Sequence, residues 1–200
     1  MQPADEGNAP LYYASQNGHA EVVRFLLRKK VNVNDKDPVV HKTPLFPACW
    51  NGHPEVVRLL VENGAEVNAR NLSQRTPLFA SCWTGNIEVV KYLVEHGAEV
   101  DAKDTSQITP LLVASRNGHA EVVKYLVEKN ADVNVKDTKE QTPLFKACLK
   151  GHIETVKVLA EHGCDINAKD KEQKTPLRVA QDKSLTEIVK ILEENDAMPW

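Results

Sequence analysis

An all-α fold is expected, with about six helix-turn-helix units stacked on one another and joined by extended β-turn loops. Three observations predict it. Pro-Leu recurs at Pro10, Pro44, Pro77, Pro110, Pro143 and Pro176, with spacings of 34, 33, 33, 33 and 33 residues. A tight turn of the form Asn-Gly-His, or a variant of it, recurs at Asn17–His19, Asn51–His53, Thr84–Asn86, Asn117–His119 and Lys150–His152. The tails of the units read "GAEVN", "GAEVD", "NADVN" or "GCDIN". A unit of this size has one apolar side and cannot bury it alone, so a fixed period of this length implies stacking of neighbours.

Each element follows from residue chemistry. Proline suits the first helical turn, and Thr43, Thr76, Thr109, Thr142 and Thr175 stand where a side chain can cap that helix. The first helix is short and ends at Gly18, Gly52, Gly85, Gly118 or Gly151. The second, such as "EVVRLLVEN" from Glu55, places Val56, Val57, Leu60 and Val61 at helical spacing. Gly64, Gly97 and Gly163 are expected to close it in the left-handed conformation, with Asn130 as a substitute and Lys30 at the same place in the first unit. A loop leads to the next threonine. Its tip carries Gln74, Gln107, Glu140 or Gln173, which predicts a turn that tolerates negative φ. The first loop, "NDKDPVVHK" from Asn34 to Lys42, has one extra residue and Pro38, so a local distortion is expected. In the last unit Ser184-Leu185 replaces Gly-His, and the second helix "LTEIVKILEEN" is more charged, as suits a terminal cap. The reading gives an N-terminal extension at 1–8 and one domain over 9–195. Its repeats lie near 9–41, 42–74, 75–107, 108–140, 141–173 and 174–195, and a tail follows at 196–200.

Composition narrows the function classes. With 25 basic and 28 acidic residues the net charge is -3, which is not a nucleic-acid footprint. Four cysteines without a CxxC pattern suggest neither a disulfide framework nor a zinc site. Cys49, Cys82 and Cys148 share one repeat position, and a stacking distance of about 8–10 Å keeps such neighbours beyond disulfide reach. "MQPADEGN" does not read as a signal peptide, and no apolar run has the length of a membrane span. A monomer in the cytoplasm or nucleus, without cofactor or metal, is the expectation. His19, His53, His119 and His152 read as turn residues, His96 and His162 as helix C-terminal residues, and Asp104, Asp137 and Asp170 as turn formers. No nucleophile elbow or glycine-rich phosphate loop appears, so enzymatic activity is not expected.

Thr-Pro-Leu at helix start, Gly-His before the second helix and Asp-Val-Asn after it, at a period of 33, resemble the ankyrin repeat. The resemblance covers nearly the whole chain and implies a non-enzymatic scaffold that binds a protein or peptide. The family's histidine after Thr-Pro-Leu is replaced by Tyr12, Phe46, Phe79, Leu112, Phe145 and Arg178, which suggests apolar packing in place of a hydrogen-bond network. The stretches ending at Asn68 and Asn134 resemble sites of asparaginyl hydroxylation in such repeats.

By the same resemblance, three first-helix positions of each repeat line a concave groove together with the loop tips; they share one helix face. The candidate residues are Tyr13 and Gln16; Pro47, Trp50 and Asn51; Ala80, Trp83 and Thr84; Val113 and Arg116; and Lys146, Leu149 and Lys150. Leu72 and Ile108 join them from loop tips. The N-terminal half is aromatic and apolar, the C-terminal half basic. Trp50 and Trp83 are expected to point into the groove and border one pocket about a repeat wide, as a hot spot for a partner. Two other readings are a spacer array without a ligand and an aromatic cage for methylated lysine.

Overall fold

The computed structural model describes residues 9–39 and 41–198. The expected extension at 1–8, and Pro199 and Trp200 of the tail, lie outside the described residues. Twelve helices and no strand are found among the described residues, in two compact units, Met1–Glu99 and Val100–Trp200.

The first unit holds α1 (Ala9–Gln16), α2 (Ala20–Arg28), α3 (Leu45–Asn51), α4 (Pro54–Glu62), α5 (Pro77–Thr84) and α6 (Ile87–Glu95). The second holds α7 (Pro110–Asn117), α8 (Ala120–Glu128), α9 (Pro143–Lys150), α10 (Ile153–Glu161), α11 (Pro176–Asp182) and α12 (Thr186–Glu194). Within each unit first helices pack on first helices and second on second. The leucines of the Pro-Leu pairs, Leu11, Leu45 and Leu78 in one unit and Leu111, Leu144 and Leu177 in the other, are buried and form the core.

Threonine caps start four of the first helices. The hydroxyls of Thr76, Thr109, Thr142 and Thr175 accept from the backbone N–H of the residue three places on, at 3.2–3.3 Å. Thr43 differs. The longer loop before it shifts the helix start to Leu45, Phe46 N–H donates to the Thr43 carbonyl, and the buried Thr43 hydroxyl finds no partner. Thr109→Val is therefore expected to cost about 1 kcal/mol, and Thr43→Val close to nothing. Urea denaturation of the two variants checks the contrast.

The loop tips correct the expectation of negative φ. Gln74, Gln107, Glu140 and Gln173 have φ between 59° and 62°. The reason lies three residues upstream. Asn71, Asp104, Asp137 and Asp170 are buried, and Oδ1 of each accepts from the N–H groups two and four residues on. That pair of bonds curls the backbone and forces the tip residue into the left-handed region, which disfavours any side chain with a Cβ. Gln107→Gly is expected to raise stability by about 0.5 kcal/mol, the strain relieved outweighing glycine's extra entropy loss. A urea midpoint that falls in this variant would contradict the account.

The turn between the helices is built across repeats. The ring of His53 hydrogen-bonds the Gln16 carbonyl at 3.1 Å, and His152 does the same to Arg116 at 3.0 Å. A Cβ on Gly18 or Gly118 would lie 2.6 Å from the imidazole of His53 or His152, so glycine is required there by space as well as by positive φ. Asn86 replaces histidine in the third repeat and donates to the Cys49 carbonyl at 3.3 Å. Loop asparagines clamp the following repeat: Asn34 donates to Gly64 O at 2.9 Å and accepts from Glu66 N at 2.8 Å, and Asn68 repeats this with Gly97 and Glu99 at 2.9 Å each. Arg24–Glu55 at 3.2 Å and Arg58–Glu88 at 2.5 Å join second helices, but both pairs are exposed, so each contributes little.

Candidate binding surface

In the first unit the first helices and loop tips bring an aromatic cluster together. Trp50 on α3 and Trp83 on α5 stack, with ring centroids 5.7 Å apart and planes 26° from parallel. Phe79, buried below, lies 6.1 Å from Trp83. The Arg75 guanidinium covers both, 4.7 Å from the Phe79 ring and 5.8 Å from the Trp83 ring. One repeat earlier, Lys42 sits 4.9 Å over Phe46. Sequence reasoning missed Arg75 and Lys42. The signal was present, since both immediately precede the threonine of a Thr-Pro-Leu and so share one repeat position.

This arrangement corrects the expected pocket. Two tryptophans in face contact close the space between them instead of bordering a hole. Each is half-buried. The pair also does not surround a cation: the rings are nearly parallel, and Arg75 already occupies an aromatic face. Leu72, 60% exposed at the neighbouring loop tip, extends the apolar surface outward. At the start of the unit Tyr13 is exposed and meets Tyr12 edge to face at 5.7 Å, while Gln16 is half-buried.

Three other candidates turn out to be internal, and two more are engaged within the fold. Pro47, Ala80 and Val113 are buried and lie beneath the surface. Asn51 spends its amide on the Gln16 carbonyl at 2.8 Å. The Thr84 hydroxyl bonds back to the Ala80 carbonyl at 3.3 Å and accepts from Asn86 at 2.7 Å.

In the second unit Arg116 and Lys150 are exposed, and Ile108 and Leu149 half-buried. Lys146 is not the open basic group expected. Its Nζ lies 2.6 Å from Asp137 Oδ2 and 2.7 Å from Gln141 Oε1, with both charged side chains largely buried. Burial alone would raise the Asp137 carboxyl. Donation from Lys146 and from the N–H groups of Gln141 and Lys139 outweighs it and holds the carboxyl below its usual range. Beyond Lys146, Leu149, Phe145 and Val179 floor a cleft of about 260 Å³ rimmed by charged groups, Lys174 and Lys183 among them.

The cysteines and two of the histidines are held within the fold. Burial pushes the thiols of Cys49, Cys82 and Cys148 well up, and burial with the nearby Asp165 charge pushes Cys164 up to about 12, so none is a ready thiolate. His96 and His162 bond carbonyls of their own helices at 2.7 and 2.6 Å. Among the described residues no cluster of three His, Cys, Asp or Glu could hold a metal ion, and no helix is long and apolar enough to cross a membrane.

Comparison with known proteins agrees with this architecture. The model of the family described as ankyrin repeats (3 copies) matches residues 1–71, 69–137 and 111–199. The crystal structure of the human ASB11 ankyrin repeat domain is similar at a TM-score of 0.87 and 30% sequence identity, over 94% of this chain and 84% of that one. No curated protein sequence matches. Helix pairs locked by Gly-His turns, threonine caps and loop clamps, matched by the family model from end to end, place this chain in the ankyrin repeat family.

Proposed function

We propose that the chain is a non-enzymatic binding module that takes a protein or peptide along its first helices and loop tips. Ankyrin repeats in general are protein-interaction modules, and the finer assignment rests on this chain's own surface. The observation that carries it is the half-buried Trp50–Trp83 stack with the Arg75 and Lys42 cations and the exposed Leu72 of the loop before Arg75. Exposed aromatic surface flanked by cations is the setting of binding hot spots. A spacer would have no need of Leu72 at 60% exposure. In the second unit the Leu149 cleft has an apolar floor that suits an apolar side chain, with Asp170, Glu172 and Asp182 as well as Lys174 and Lys183 around it.

The test uses residues that are not fully buried, and circular dichroism of each variant checks that it folds. Peptides are selected from a random display library against the whole chain and titrated by calorimetry against Leu72→Asp and Leu149→Asp. An affinity loss of about tenfold or more, roughly 1.4 kcal/mol, in either variant supports the assignment. Unchanged affinity in both would move the site elsewhere.

A further inference from the structure

One loop position clamps each following repeat, and its residue changes once. Asn34, Asn68, Asn134 and Asn167 hold it in four repeats, Asp101 in the third. An amide side chain donates and accepts at once. Asn34 donates to Gly64 O at 2.9 Å and accepts from Glu66 N at 2.8 Å. Asn68 does the same with Gly97 O and Glu99 N at 2.9 Å each, and Asn167 with Asp196 O at 3.3 Å and Met198 N at 2.8 Å. Asn134 accepts from Asp165 N at 2.7 Å. Asp101 makes the accepting half only, its two carboxylate oxygens sharing the Asp132 N–H at 3.1 and 3.3 Å. The carbonyl in the place of Gly64 O and Gly97 O is that of Asn130, which keeps their left-handed backbone, with φ of 63° against 88° and 86°. An ionised carboxylate has no hydrogen to give it.

We infer that Asp101 is a proton-operated clamp between the third and fourth repeats: protonated, it donates to the Asn130 carbonyl while still accepting from the Asp132 N–H, and ionised, it holds by the accepting bond alone. Asp101 is exposed, so its proton exchanges with solvent without any opening of the fold. The charged groups that face it are Asp132 of the fourth repeat, whose own Oδ1 accepts from Asn134 N at 2.9 Å, and Lys103 of its own loop. Partial burial pushes the Asp101 carboxyl above its usual range and the Asp132 charge adds to this, while the Asp132 N–H and Lys103 pull the other way without cancelling it. A raised folded value fixes the sign. The stabilisation is fully present below the unfolded value of about 3.9 and is lost as pH rises through the folded value. The clamp is therefore tight in acid and slack at neutral pH, whereas the asparagine clamps of the other repeats do not titrate.

Asp101→Asn installs a permanent donor. At pH 7 its folding equilibrium constant should exceed that of wild type about fivefold, the yield of one net hydrogen bond. The gap should close as pH falls through the folded value toward about 3.9. Asn68→Asp is the reciprocal change, and should lose about fivefold at pH 7 and recover in acid. Asp132→Asn removes the neighbouring charge and keeps an acceptor for Asn134 N, yet gives Asn130 no donor, so it should reproduce less than about half of the Asp101→Asn gain. Urea titrations from about pH 7 to 4 read the three variants against wild type, and the Asp101 carboxyl carbon followed by NMR reads the titration itself. A carboxyl that titrates at or below about 3.9 overturns the inference. So does an Asp101→Asn gain that is absent at pH 7 or constant with pH, an Asn68→Asp chain that loses nothing at pH 7 or stays weakened in acid, or an Asp132→Asn chain that reproduces about half of the gain or more.

Discussion

Lys146→Ala should lower stability by about 3 kcal/mol, although the side chain sits at a position expected to face a partner. The pair with Asp137 is largely buried, and removing one member leaves the other charge without its compensation. Gln141 Oε1 loses its donor at the same time. The backbone N–H groups of Lys139 and Gln141 still hold Asp137 Oδ1, so the turn survives and the loss stays below that of a fully stranded ion. The pH dependence gives a second signature. The folded carboxyl is held below the unfolded value of about 3.9, so its stabilising contribution is fully present above that pH and is lost as pH falls through the folded value. The gap between wild type and Lys146→Ala should therefore be constant from about pH 7 to 5 and shrink below about pH 4. Urea titrations at pH 7 and pH 3.5 read both quantities. A cost under about 0.5 kcal/mol at pH 7 would mean that the ammonium is solvated and available to a partner after all.

Lys146 also shows where sequence reading stops. The elements were legible because proline, threonine and glycine act locally: a cap, a fixed φ and a left-handed helix end each need a residue type at a place, and a fixed period repeats the test. Exposure is different, because it depends on what the neighbouring repeat brings. Pro47, Ala80 and Val113 share a helix face with Trp50, Trp83 and Arg116, yet the former are buried and the latter half-buried or exposed. Lys146 reads as a surface lysine until the loop folds back and puts Asp137 beside it. The loop tips failed for another reason. Gln74 and its counterparts carry no hint of positive φ, because the strain is imposed from Asn71, Asp104, Asp137 and Asp170, themselves recognised only as turn formers.

Trp83→Ala should cost about 2–3 kcal/mol of stability, more than a ring standing free in a groove would contribute. The truncation removes the stack on Trp50, the tilted contact with Phe79 and the Arg75 guanidinium together. A fully buried aromatic truncated to alanine costs about 3–5 kcal/mol, and the half-exposure of Trp83 places it below that range. Trp50→Ala removes the other half of the stack, so the two losses cannot simply add. A direct aromatic pair contributes about 0.5–1.5 kcal/mol beyond area burial, which sets the coupling expected from a double-mutant cycle near 1 kcal/mol. Circular dichroism in urea measures all four chains on one scale. Coupling within error of zero would mean that the rings do not meet in solution, returning Trp50 and Trp83 to the open-groove role the sequence suggested. Coupling near 1 kcal/mol makes the stack a structural bridge between the second and third repeats.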